Sequence, residues 1–120
     1  MTAPNLKTPT TIVGKTAVAS AATTLTAVLD NAAASGKLLK INTIRAANVD
    51  SGAAAVAIDV SIFRSSTHRY LIKNAAVSTA KALVVTDRNE QVYLEEGDSI
   101  YAKAATSSGI DLTINYEEIS

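Results

Sequence analysis

Glu95, Glu96 and Asp98, followed in the same stretch by Glu117 and Glu118, are the side chains of this sequence whose type and spacing could do chemistry. A calcium ion takes about six to eight oxygen ligands, so Glu95, Glu96 and Asp98 form an incomplete calcium candidate that would need several further oxygens. Paired carboxylates can also cleave glycosidic bonds, but such sites need a sugar-binding cleft, which usually brings aromatic side chains. With one Phe, four Tyr and no Trp, that platform is nearly missing. Gly14-Lys15-Thr16 has the ending of a phosphate-binding loop. That loop requires a Gly where this chain has Pro9, and a helix after it where this chain reads as a strand. His68 sits in a polar turn beside Arg69, with no Cys or second His to complete a metal site. No nucleophile, base and orienting group can be assembled, so the expectation is a protein that is not an enzyme and carries no cofactor.

The remaining readings concern the elements that would hold these residues. Val92 to Ile119 reads as two adjacent strands. In Ser99 to Ala105, Ile100, Ala102 and Ala104 share one side; in Asp111 to Glu118, Leu112, Ile114 and Tyr116 do, continuing from Ile110. Thr106-Ser107-Ser108-Gly109 between them has the chemistry of a hairpin loop, with Gly109 able to take positive φ. Glu95-Glu96-Gly97-Asp98 reads as an acidic turn. Ala55 to Arg64 is the second clean alternation, with Val56, Ile58, Val60 and Ile62 aligned. The expected core is Ile58, Val60, Ile62, Leu112, Ile114 and Tyr116.

Earlier in the chain, residues 1–9 hold two prolines and little apolar content and read as a flexible arm, extended or disordered. Thr10 to Ala19 reads as a strand in which Gly14 marks a bulge or a close approach. Thr23 to Leu29 reads as a strand and Asp30 to Gly36 as a loop. In Lys37 to Asn48, Leu39 and Ile41 share a face but Ile44 has the opposite parity, which predicts a bulge or bend near Asn42-Thr43. Asp50-Ser51-Gly52 and Ser65-Ser66-Thr67 are turns. Arg69 to Lys73 and Lys81 to Thr86 are short strands, and Asp87 to Glu90 is a polar loop. About eight short strands spaced by turns predict an all-β fold, an antiparallel β-sandwich of jelly-roll-like type, as a single domain over residues 10–120.

At 120 residues the chain can bury a core without staples, and it has no cysteine. Eleven basic and eleven acidic residues give zero formal net charge, which removes the main electrostatic term for nucleic-acid binding. No apolar run is long enough for a membrane span, and no signal peptide is visible, so neither nucleic acid nor membrane is an expected partner. Small Ala and Thr side chains make each burial weak, so assembly is expected to supply part of the stability.

Thr10 to Thr16, Ser35-Gly36-Lys37 leading into Lys40-Ile41, Ala47-Asn48-Val49-Asp50, Tyr93-Leu94-Glu95-Glu96-Gly97-Asp98-Ser99-Ile100 and Tyr116-Glu117-Glu118-Ile119 together resemble small virion structural proteins of tailed bacteriophages, especially those of cyanobacteria and marine bacteria. The likeness spans nearly the whole chain. Asn115 stands where the usual ending has Ser. The resemblance implies a virion location after synthesis in a host cytoplasm, and offers no catalytic residue to carry over.

The expectation is therefore a capsid decoration (cement) protein that binds the assembled shell as a small homo-oligomer, a trimer in preference to a monomer, with the major capsid protein or another virion protein as partner. A neck or tail component would use the same fold. A carbohydrate-binding module is the alternative of another class. Thr10, Thr11, Ile12, Val13 and Gly14 are the expected partner-binding residues, reaching out of their own sandwich to add a strand to a neighbour.

Overall fold

The two clean alternations of the sequence become strands that face each other across one core. The computed structural model describes residues 4, 6–50, 52, 54–87 and 89–120. Among them are nine strands and no helix: β1 (Ile12–Ser20), β2 (Thr26–Asp30), β3 (Leu38–Asn48), β4 (Val56–Arg64), β5 (Thr67–Val77), β6 (Ala82–Thr86), β7 (Val92–Leu94), β8 (Ser99–Ala104) and β9 (Ile110–Ile119). Sheet A runs in the order β1-β9-β3-β6, with β7 also paired to β3, and sheet B runs β2-β8-β4-β5. Every pairing is antiparallel. With β7 taken as a short companion of β6, this is the strand order of a jelly roll, in which most connections cross between the sheets.

That topology corrects the expected hairpin. β8 pairs with β2 and β4 in sheet B, whereas β9 pairs with β1 and β3 in sheet A. Thr106–Gly109 is therefore an arch over the edge of the core, and the apolar sides of β8 and β9 look at each other across it. Ser108, not Gly109, takes the left-handed conformation, at φ 58°. Gly109 is needed for space: a Cβ there would meet Thr106 Cβ and carbonyl O at 3.2 Å and Val56 Cγ2 at 3.4 Å.

The hairpin within one sheet is β4–β5. Its two-residue turn has Ser65 at φ 52° and Ser66 at φ 60°, the paired positive values of a turn that matches strand twist. β5 is longer than the expected Arg69–Lys73 because its register against β4 shifts twice, between Ile58 and Val60 and between Val60 and Ser61. Those bulges interrupt the alternation, so the sequence pattern stops short of the strand. In β3 the register against β9 shifts between Ile41 and Thr43, placing the expected bulge at Asn42. It turns Ile41 and Ile44 to the same face, and both are fully buried. Gly14, by contrast, marks no bulge: β1 pairs with β9 without a shift from Ile12 to Ser20, and nothing lies within 4 Å of a Cβ built on it.

The core is aliphatic. Ile41, Ile44 and Leu112, Ile114 of sheet A meet Ile58, Val60 and Ile100 of sheet B, with Ala46, Ala102 and Ala104 filling the narrow places. Ile58, Val60, Leu112 and Ile114 are buried as expected, while Ile62 and Tyr116 are half-buried at its margin. Of the expected N-terminal arm, Met1, Thr2, Ala3 and Asn5 lie outside the described residues, as do Ser51 of the Asp50–Gly52 turn and Arg88 of the polar loop.

Candidate functional site

The acidic turn is held by its own carboxylates. Gly97, at φ 88°, reverses the chain after β7, and this drives Asp98 inward to 3 % exposure. Asp98 Oδ2 accepts from the Glu95 amide at 2.8 Å and from Arg64 Nε at 3.0 Å and Nη2 at 2.5 Å. Glu95 also pairs with Arg64 Nη2, at 3.0 Å, and Glu96 Oε2 accepts from the Gly36 amide at 2.9 Å. Glu95 and Asp98 thus converge on the Arg64 guanidinium, while Glu96 turns away to serve a loop amide. Among the described residues, no group of three or more His, Cys, Asp or Glu side chains is placed to hold a metal ion.

Thr10 to Gly14 lie along their own β9. Thr10 and Thr11 amides donate to the Ser120 carbonyl at 2.6 and 3.0 Å, Ser120 N donates back to Thr11 O at 2.9 Å, and Ile12, Val13 and Gly14 stand opposite Ile119, Glu118 and Glu117. In the single chain this segment thus lies on its own sandwich. A strand's polar backbone needs partners, and β9, at the other end of the chain, offers a full edge. Ahead of it, Leu6 and Pro9 border the same small depression as Ile12, Tyr93 and Ile119.

Lys15 and Thr16 are likewise occupied in β1. Glu118 receives Lys15 on one carboxylate oxygen and Lys37 on the other, each at 3.0 Å. Hydrogen bonds from Lys15, then Lys37, hold the Glu118 carboxyl below the usual range, and the bond to Glu118 raises the Lys15 ammonium above its own. His68 is not a turn residue but part of β5. Its ring lies 4.5 Å from that of Phe63 and 4.8 Å from that of Tyr101, and Nδ1 is 3.0 Å from Ser61 Oγ. These rings share the outer face of sheet B with Tyr70, whose ring faces the Lys73 ammonium at 4.5 Å.

The most exposed apolar surface belongs to sheet A. Alternation puts Ala17 and Ala19 of β1 inward beside Ile114 and Leu112, so Thr16 and Val18 point outward. Val18, Thr113, Arg45 and Val84 form one row across four strands, with Val18 77 % and Val84 54 % exposed. In the next row Thr16 donates to Asn115 Oδ1 at 2.9 Å, and Asn115 donates to Thr43 Oγ1 at 2.7 Å. Asn115 is thus the middle rung of a polar ladder on this face.

Two buried asparagines shape the loops and were read from sequence only as loop or strand-end residues. Asn31 Nδ2 donates to the carbonyls of Lys37 and Leu94, both at 2.9 Å, and Asn48 Nδ2 to those of Ala54 and Val77, at 3.1 and 3.0 Å. The available signal is an Asn at a strand end before a run of small residues, occurring twice. No protein-family model matches this chain, and no curated protein matches it.

Proposed function

We propose that this protein is a structural component of a tailed-phage virion, a capsid decoration protein that binds the assembled shell as a small homo-oligomer. The carrying observation is the outer face of sheet A, where exposed Val18 and Val84 end a row whose middle is Thr113 and Arg45, an apolar and polar surface suited to lie against another protein. The resemblance carried by Tyr93 to Ile100 and Tyr116 to Ile119 supplies the setting. A decoration protein favours the assembled shell by binding it and not its separated parts. A neck or tail position is the alternative within the same reading.

The test is to purify particles of a phage that encodes this chain and image them. Density for the jelly roll on the shell supports the proposal; density at the neck or tail selects the alternative; a protein found only in the soluble fraction of infected cells overturns both. A carbohydrate-binding module is favoured by one observation, the Phe63, His68, Tyr101 and Tyr70 rings grouped on sheet B. The first three are packed on each other at 4.5 to 5.2 Å and half-buried, while Tyr70 stands exposed beside them. A glycan screen with no binding up to millimolar ligand is the expected result.

A further inference from the structure

The four sheet edges are not alike. An edge strand presents unpaired N–H and C=O groups, and folded proteins blunt such edges with short strands, bulges and charges. β2 has five residues and a register shift between Ala27 and Leu29. β6 has five residues and a shift in its pairing with β3, and β7 has three residues. β5 is bulged twice, with Asn74 at φ 52°. β1 is nine residues long, pairs without a shift, and carries Ile12, Val13 and Val18 exposed. Its one charge, Lys15, is already bound by Glu118.

We infer that β1 is a self-association edge, pairing antiparallel with β1 of a second copy about a two-fold axis at Thr16, so that the two A sheets become one. This rests on the structure of the chain alone and holds whether or not the protein occupies a virion. Outward-pointing backbone groups recur at every second residue, so the axis of such a pairing falls at a residue and its own copy, never between two residues. An axis at Lys15 would set the two ammonium groups side by side, and one at Ala17 would leave Ile12 and Val13 without partners.

The Thr16 axis pairs the whole strand, and its side chains fit. Ile12 meets Ser20 of the other copy, Val13 meets Ala19, Gly14 meets Val18, Lys15 meets Ala17, and Thr16 meets Thr16. Each larger side chain faces a small one, and the open space beside Gly14 receives the most exposed valine of the chain. This gives Gly14, which neither bulges nor packs in the single chain, a reason to be there. The trimer expected from composition would require β1 to pair with one of the three blunted edges.

Because the chain has no cysteine, a single Thr16→Cys thiol reports the register cleanly. The full-length wild-type protein is expected to sediment as a dimer at high micromolar concentration. Val18→Lys, at a site too exposed to unfold the chain, is expected to be monomeric with an unchanged circular dichroism spectrum. Thr16→Cys is expected to form a covalent dimer on mild oxidation, and Val18→Cys, displaced from its own copy along the strand, is not. A wild-type monomer or trimer, a Val18→Lys dimer, or equal cross-linking at both cysteine positions overturns the proposal.

Discussion

Arg64 donates twice to a single oxygen of Asp98, and that oxygen also receives the Glu95 amide. The contact joins the end of β4 to the turn before β8. Asp98 is nearly buried while the Arg64 side chain is 46 % exposed, so the two partners do not carry equal risk. Removing Arg64 leaves a buried carboxylate with one backbone donor, whereas removing Asp98 leaves a guanidinium that water can reach. Arg64→Ala is expected to cost about 2 kcal/mol and Asp98→Asn, which can still accept from Glu95 N, about 1 kcal/mol. Urea denaturation of both variants checks the order; equal losses would refute the asymmetry.

The arch between β8 and β9 separates two roles that a loop sequence blends. Ser108 carries a positive φ that costs a residue with a Cβ about 1 kcal/mol, so Ser108→Gly is expected to be neutral or to stabilise by about 0.5 kcal/mol. Gly109→Ala pushes a methyl against Thr106 backbone and the Val56 side chain and is expected to destabilise by about 1 to 3 kcal/mol. Thermal melts of the two variants should therefore move in opposite directions or, for Ser108→Gly, not at all.

This arch also shows where the sequence stops being legible. Alternation tells which side chains of β8 and β9 are buried, and Ile100, Ala102, Leu112 and Ile114 are all found inside. It does not tell which strand lies beside which, because two strands facing each other across a core have the same pattern as two strands of a hairpin. The bulge at Asn42 could be read because a parity change between Ile41 and Ile44 has few other causes, while the bulges of β5 hid most of that strand. At the acidic turn the residues were picked out but their use was not. A buried Asp98 bound by Arg64 looks, in sequence, like one more solvated carboxylate, since Arg64 is separated from it by three whole strands.

Glu118 makes the hold on β1 dependent on pH. Its carboxyl is depressed in the folded chain, so its contribution is present above the ordinary carboxylate value of about 4.3 and is lost as pH falls through the lower, folded value. Lys15 is raised, so its share is present below about 10.4 and is lost as pH rises through the higher, folded value. The clamp is thus complete across the neutral range and loosens at both extremes. Glu118→Gln is expected to be less stable than wild type near neutrality and to converge with it in acid, below the folded carboxyl's titration. Urea midpoints measured for both proteins across pH test this, and a constant difference at every pH would sink it.

Truncation from the N-terminus should be stepped, not gradual. Deleting residues 1–9 removes Leu6 and Pro9 from the depression beside Ile12 and Ile119 but keeps the Thr10 and Thr11 bonds to Ser120. Leu6 is half exposed, so the loss is expected to be about 1 kcal/mol or less. Deleting residues 1–13 takes away those bonds and the Ile12 and Val13 pairings, yet leaves Gly14 to Ser20 on β9; the protein is expected to fold with reduced stability. Deleting residues 1–20 strips β9 of one neighbour along its whole length, exposing a long apolar-backed edge, and soluble folded protein is not expected. Circular dichroism melts of the three truncations give the steps. A deletion of residues 1–20 that melts like wild type would mean that β1 is not part of the folded sandwich, and the cis pairing described above would have to be abandoned.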